Sequence, residues 1–338
     1  MKEIGSEFWD IPLTQNKERK LFPDAALYYL SGRSALNAIL DDICRNNTVK
    51  TAALPSWCCD SMIKPFLSHG LEVHFYPVYL DESHRLVQEI ESVKSDVLLV
   101  MDYFGFLNCP DHKKNTVVIR DITHSVFSGI NNDADYVFGS LRKWTGLYTG
   151  GFAWSNISEL AEVSENAQLL EYYLLRQRAM EQKKDYINSG TGDKSFLALF
   201  SEAEEWLDNN AIIYGSSERD RLAINMIDAY YIRERRVNNA KYLLQRLGDL
   251  SFVKHVEKDE CPLFVPIFLD NPKRNGLRKY LIENSIYCPI HWEISDYHQL
   301  TVKMREIYDT ELSLVCDQRY DLSDMKIIAD TVELYLKG

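Results

Sequence analysis

Short apolar runs alternate with amphipathic stretches through the first half of the chain. Thr51–Leu54, Val73–Val78, Val97–Asp102, Thr116–Arg120, Tyr136–Gly139 and Gly151–Trp154 have strand length and are rich in branched and aromatic residues. Between them, Ser61–His69 and Arg85–Val93 are long enough for crossover helices. Nearly unbroken apolar strands separated by helices predict a mostly parallel sheet covered on both faces, an α/β fold. A helix also opens after Ser31, because Ala35, Leu36, Ile39, Leu40 and Ile43 fall on one face.

The pattern changes at Ile157. From there to Asn209 polar helix formers dominate, with one break at Ser189-Gly190-Thr191-Gly192. Another helical pattern covers Arg219–Leu247 and stops at Gly248. Phe252–Val256 and Leu263–Leu269 are apolar runs, and helices are expected around Lys273–Asn284 and Leu322–Leu336. The chain has 338 residues, which at about 150 residues per domain suggests two domains. The expected division is a large α/β domain over 1–225 and a smaller α+β domain over 226–338.

Composition narrows the classes. Thirty-eight basic against fifty acidic side chains give a formal charge of −12, which argues against nucleic acid as a partner because phosphate contacts need a basic stripe. Hydrophobic residues at 46% and aromatics at 12% are ample for a core. Val97–Met101 and Leu263–Leu269 are too short to span a bilayer. The first residues, Met1–Glu7, carry acids and no long apolar stretch, unlike a secretory signal. Seven scattered cysteines show no zinc-ligand spacing. The expectation is a reduced, cytoplasmic protein without membrane contact or bound metal.

Three segments carry candidate chemistry. Ser31-Gly32-Arg33-Ser34 opens a helix, where free backbone N–H groups and the positive dipole end favour an anion; a plain serine cap is the alternative. Val117–Arg120 runs into Asp121-Ile122-Thr123-His124, which puts a carboxylate at the edge of the sheet where α/β proteins bind ligands. The alternative there is an N-capping aspartate beside a surface histidine. Ser140-Leu141-Arg142-Lys143-Trp144 follows a strand and precedes Gly150-Gly151. A lysine partly buried between a strand, a tryptophan and a glycine pair suits Schiff-base chemistry, since desolvation favours the neutral amine that attacks a carbonyl. Ser140 could meet a phosphate from the same loop. No G-x-G-x-x-G follows a strand, so a dinucleotide fold lacks support.

In this order the segments resemble the fold-type-I pyridoxal-phosphate enzymes, and more closely the DegT/StrS-type sugar aminotransferases. Leu54-Pro55-Ser56 before an aromatic, Asp102-Tyr103-Phe104-Gly105, Pro289-Ile290-His291-Trp292 and Ser313-Leu314 also match, so the resemblance covers roughly residues 25 to 335. It implies pyridoxal 5'-phosphate as cofactor, with Lys143 bonded to it and shuttling protons and Asp121 paired with its ring nitrogen. Thr123 would lie near one ring face and Trp57 on the other, and His124, where the family usually has glutamine, would reach the phenolic oxygen. Gly32, Arg33, Ser34 and Ser140 would hold the phosphate, with Arg33 standing where threonine is usual.

His291, Trp292 and Arg319 are candidates to close over a substrate. The family's Asn-Tyr-Arg loop is not recognisable around Ser216–Met226. The resemblance implies transfer of an amino group, with glutamate as the expected donor, to a nucleotide-linked keto sugar, in a homodimer with sites at the interface. Amino-sugar or surface-polysaccharide synthesis is the implied setting. Elimination or dehydration on the same cofactor, and a ligand-binding protein without catalysis, are the competing readings; Lys143 counts against the family's dehydratases, which carry histidine there.

Overall fold

The computed structural model describes residues 3–15, 20–111, 116–129, 134–163, 169–190, 192–210 and 213–338. In chain order the first elements are β1 (Ile4–Gly5), β2 (Leu27–Tyr29), α1 (Gly32–Asn46), β3 (Thr51–Pro55), α2 (Asp60–Ser68) and β4 (Glu72–Tyr76). Then come β5 (Val78–Leu80), β6 (Leu86–Gln88), β7 (Val97–Met101), β8 (Val117–Asp121), β9 (Tyr136–Ser140) and β10 (Gly151–Ser155). A helical stretch follows: α3 (Leu170–Ser189), α4 (Phe196–Asn209), α5 (Glu218–Ile224) and α6 (Ala229–Leu247). The chain closes with β11 (Phe264–Phe268), α7 (Asn271–Glu283), β12 (Ile286–Tyr287), α8 (Val302–Thr310), β13 (Glu311–Val315) and α9 (Leu322–Lys337).

Seven strands form the central sheet in the order β2-β10-β9-β8-β7-β3-β4. From β9 to β4 neighbours run parallel, while β10 is antiparallel to both β9 and β2. The expected α/β fold with a mostly parallel sheet is therefore present. Every residue of β7 is buried, the signature of a central strand packed on both faces. Parallel register aligns the strand ends, with Met101 opposite Asp121 and Asp121 opposite Phe138, so the loops after β8 and β9 open on one edge. α1 packs on β2, β9 and β10 through the buried Ala35, Leu36, Ile39, Leu40 and Ile43, the face expected from the sequence.

Several local expectations differ. Arg85–Val93 is no helix: β5 and β6 form an antiparallel hairpin whose turn is tied by Asp81, which accepts the Ser83 and Arg85 backbone N–H groups at 2.9 Å. A side-chain acceptor that satisfies turn N–H groups competes with helix formation. The Arg219–Leu247 pattern is two helices, because Asp228 caps a new start by accepting the Tyr231 N–H at 2.9 Å. Phe252–Val256 forms no strand.

The second half holds β11 and β13 as an antiparallel pair. Strand β1 pairs in parallel with β12, so the first described residues lie with this half and not with the seven-stranded sheet. Among the described residues no helix is long and apolar enough to cross a membrane. No group of three or more His, Cys, Asp or Glu among them could hold a metal ion. Of the adjacent thiols, Cys58 is buried and Cys59 partly so.

Candidate active site

A cavity of about 780 Å³ opens where the carboxyl edge of the sheet faces the second half of the chain. One wall is built by the sheet. Asp121 is the last residue of β8, and Lys143 ends the short 3-10 turn, Leu141–Lys143, that leaves β9. Both line the cavity, with Thr123, His124 and Ser140. The first turn of α1 joins them because β2 pairs with β10, placing Tyr29 opposite Gly151. A side chain at Gly151 would put its Cβ 2.1 Å from the Ser31 carbonyl oxygen; only glycine allows this approach. Gly32 then lies against Ser140, since an added Cβ would sit 3.4 Å from the Ser140 Cβ. The two segments expected to meet an anion are thus brought together, and Ser31, Gly32 and Arg33 line the cavity.

Asp121 is buried. Its Oδ1 accepts the Thr123 backbone N–H at 2.7 Å. Burial pushes its carboxyl up to about 6, against the lowering effect of the Thr123 hydrogen bonds and the Lys143 charge. Lys143 makes no hydrogen bond or ion pair among the described residues, and it is exposed. The expected partial burial of its amine is not found, because the cavity opens over the turn that carries it. The turn itself is rigidly seated: buried Trp144 donates from Nε1 to the Thr123 carbonyl at 2.7 Å, and Gln318 Nε2 donates to the Trp144 carbonyl at 2.6 Å.

His124 is buried and faces the cavity. Burial, then the neighbouring His291 and Lys143, push its imidazole well below the ordinary histidine range, so the ring is neutral. Its Nδ1 accepts the Phe104 N–H at 3.3 Å. Trp292 stacks on it, with centroids 5.4 Å apart at 25°.

Of the expected site residues, two do not line the cavity and two line it while bonded to other protein groups. Trp57 does not line the cavity; it is fully buried, stacks on Tyr103 at 4.7 Å, and donates from Nε1 to the His291 carbonyl at 2.6 Å. Trp292 is the large aromatic beside His124 on that side. Ser34 also does not line the cavity: its N–H and hydroxyl face Ser31 Oγ, both at 3.2 Å. Arg33 reaches the rim, but its guanidinium is committed to Asp208 at 2.6 Å and to the Leu207 carbonyl. Arg319 lines the cavity while holding other protein groups. It grips Asp317 through Nε at 2.9 Å and Nη2 at 2.7 Å, and donates to the Glu7 and Ser6 carbonyls at 3.0 Å.

The second wall contributes His291 and Trp292, as expected, and residues that the sequence did not single out. Ser6, Glu7 and Phe8 reach the cavity because β1 joins the second half. Arg236 and Asp317 are buried there too. Asp317 had a visible signal, a carboxylate just beyond the strand β13; the N-terminal segment had none.

No family model matches the sequence, and no curated protein matches it. Solved structures do. A DegT DnrJ EryC1 StrS aminotransferase from Brucella abortus is 15% identical with a TM-score of 0.58, over 92% of this chain and 85% of that one. PseC of Helicobacter pylori, an aminotransferase involved in pseudoaminic acid biosynthesis, is 13% identical with a TM-score of 0.62, over 98% and 100% of the two chains. NtdA of Bacillus subtilis, solved with bound cofactor PMP, is 13% identical with a TM-score of 0.59, over 93% and 73%. The chain has the DegT-type aminotransferase fold. That fold is the architecture the sequence resemblance implied, and it covers both halves of the chain, so the cavity lies inside the shared framework.

Proposed function

We propose that the protein is a pyridoxal-phosphate-dependent aminotransferase that moves an amino group, with glutamate as donor, onto a keto sugar carried by a nucleotide. The observation that carries this reading is the meeting in one cavity of an unpaired lysine, a buried carboxylate with no cationic partner in direct contact, and a helix N-terminus beside a serine. Those residues fit the cofactor. Asp121, pushed up by burial, gains most from a cation, and a protonated ring nitrogen is one. Gly32 and Ser140 offer backbone N–H groups and a hydroxyl to a phosphate. Lys143 would hold the aldehyde carbon, Thr123 and Trp292 would flank the ring, and His124 would donate to the phenolic oxygen.

When bound, the cofactor supplies an electron sink for negative charge at the substrate carbon. The chain supplies the rest. Asp121 keeps a proton on the ring nitrogen through the reaction. Lys143 Nζ, exposed on the cavity, takes a proton from the substrate carbon and returns it at the neighbouring atom. Trp144, held by Thr123 and Gln318, fixes the turn that aims this amine. A homodimer accords with the half-exposed Leu197 and Ile282 at the cavity rim.

Adding pyridoxal phosphate to the purified chain should give a visible absorption band, and borohydride should then fix the cofactor's mass to the peptide containing Lys143. Glutamate should bleach the band. Absence of the band, or labelling of another lysine, overturns the reading.

A further inference from the structure

On the second wall of the cavity, three polar side chains form a wired path. Glu311 and Ser313 are fully buried on β13; spaced by two, they share one face of the strand. Glu311 Oε2 accepts the His291 backbone N–H at 2.6 Å, and Glu311 Oε1 accepts the Ser313 hydroxyl at 2.5 Å. Ser313 Oγ lies 2.9 Å from His291 Nδ1.

A serine hydroxyl has one proton. Given to the carboxylate, it leaves the oxygen able only to accept from the imidazole, so Nδ1 carries the ring proton. In the neutral ring Nε2 then holds a lone pair, and His291 lines the cavity with that nitrogen free among the described residues. His124 is wired the other way. Its Nδ1 already accepts the Phe104 N–H, so the proton of the neutral ring is on Nε2. The two rings stand 5.6 Å apart at 82°. The cavity therefore carries one imidazole that donates and one that accepts.

We propose that Glu311 and Ser313 are positioning residues that hold His291 in its Nδ1–H tautomer, so that Nε2 accepts a hydrogen bond from a substrate hydroxyl. Identifying the bearer of that hydroxyl as a sugar rests on the aminotransferase reading; the wiring does not. A purely structural Glu311 would need only to anchor the His291 backbone. The relay makes a sharper demand, because replacing the carboxylate by an amide reverses it. In Glu311→Gln the oxygen still accepts the His291 N–H, but the NH₂ donates to Ser313 Oγ. The hydroxyl then donates to Nδ1, and the ring proton moves to Nε2.

The test is nitrogen NMR of the full chain labelled with ¹⁵N-histidine, with the His291 signals identified by their loss in His291→Gln. At mildly alkaline pH the wild type should show a protonated Nδ1 and a bare Nε2. Glu311→Gln should show the reverse, and Ser313→Ala should lose the preference. With a keto sugar as substrate, both variants should raise KM by about 3- to 10-fold, the cost of one hydrogen bond, with kcat little changed. A wild-type ring protonated on Nε2, or a tautomer unchanged in Glu311→Gln, overturns the proposal, as does an unchanged KM. The tautomer is read without cofactor, so a failure to bind pyridoxal phosphate sinks the aminotransferase reading and leaves the wiring intact.

Discussion

Asp121 and Asp317 face the same cavity from opposite walls, and both are buried. Burial pushes both carboxyls up. For Asp317 the two-point grip of Arg319 and the nearby Arg236 charge more than cancel that push, and it is held below the ordinary aspartate range. For Asp121 the Thr123 hydrogen bonds and the Lys143 charge fall short, and it rises to about 6. Equal burial thus gives opposite outcomes, decided by whether a guanidinium is in contact. The saturated carboxylate on the second wall serves the architecture, fastening Arg319 and through it the Ser6 and Glu7 carbonyls. The unsaturated one on the sheet wall has use for a cation that the chain does not provide.

The largest effect is expected at the amine that shares the sheet wall with Asp121. Lys143→Ala should lower turnover by at least about 10⁴-fold, roughly 5 kcal/mol of barrier, while the melting temperature of the cofactor-free chain stays put because the side chain is exposed. A variant that keeps more than a hundredth of the wild-type rate removes Lys143 from the chemistry. Next comes Asp317→Ala, which leaves the buried Arg236 and the partly buried Arg319 guanidiniums without that counter-charge and should cost about 3–5 kcal/mol in denaturant unfolding. A loss below about 1 kcal/mol would mean that Asp317 is no more structural than a surface pair.

Asp121→Asn should do the opposite in the cofactor-free chain. A carboxyl pushed up to about 6 in the fold binds more protons there than in the unfolded chain. Stability is therefore greatest below the ordinary aspartate value near 4 and falls as pH rises through about 6. The amide removes that slope, so the variant should be more stable at pH 8 by about 1–3 kcal/mol, yet turn over poorly once loaded. Equal slopes in wild type and variant would erase the contrast between the two acids. The smallest effect belongs to Arg33→Ala at the rim, under about 1 kcal/mol in stability, with the affinity for pyridoxal phosphate held within a few-fold. A steep loss of affinity would show that Arg33 exchanges Asp208 for the phosphate.

Much of the sheet wall was legible in the sequence. Val97–Met101 reads as a buried central strand from its apolar run alone, and Asp121 ends and Lys143 follows strands whose parallel order sets which edge they reach. Local pattern failed where a single side chain redirected the backbone, as Asp81 does in the turn between β5 and β6, where a helix was expected from Arg85, and Asp228 does between α5 and α6. It failed differently on the second wall. Trp57 reads as a ring-stacking aromatic, yet its indole bonds the His291 carbonyl 234 positions away. Arg319 reads as a candidate to close over a substrate, and it lines the cavity with donors that reach carbonyls 312 and 313 positions away.

By itself, then, the sequence determined the strands, the edge on which chemistry gathers and the residue types available there, because hydrophobic period and turn chemistry act over a few neighbouring residues. Tertiary structure alone decided what each buried polar group touches: which aspartate meets a guanidinium, which nitrogen of His291 keeps its proton, and which aromatic faces the cavity. Those outcomes depend on hydrogen bonds and charges a few ångströms long between residues far apart in the chain, and no local pattern encodes them.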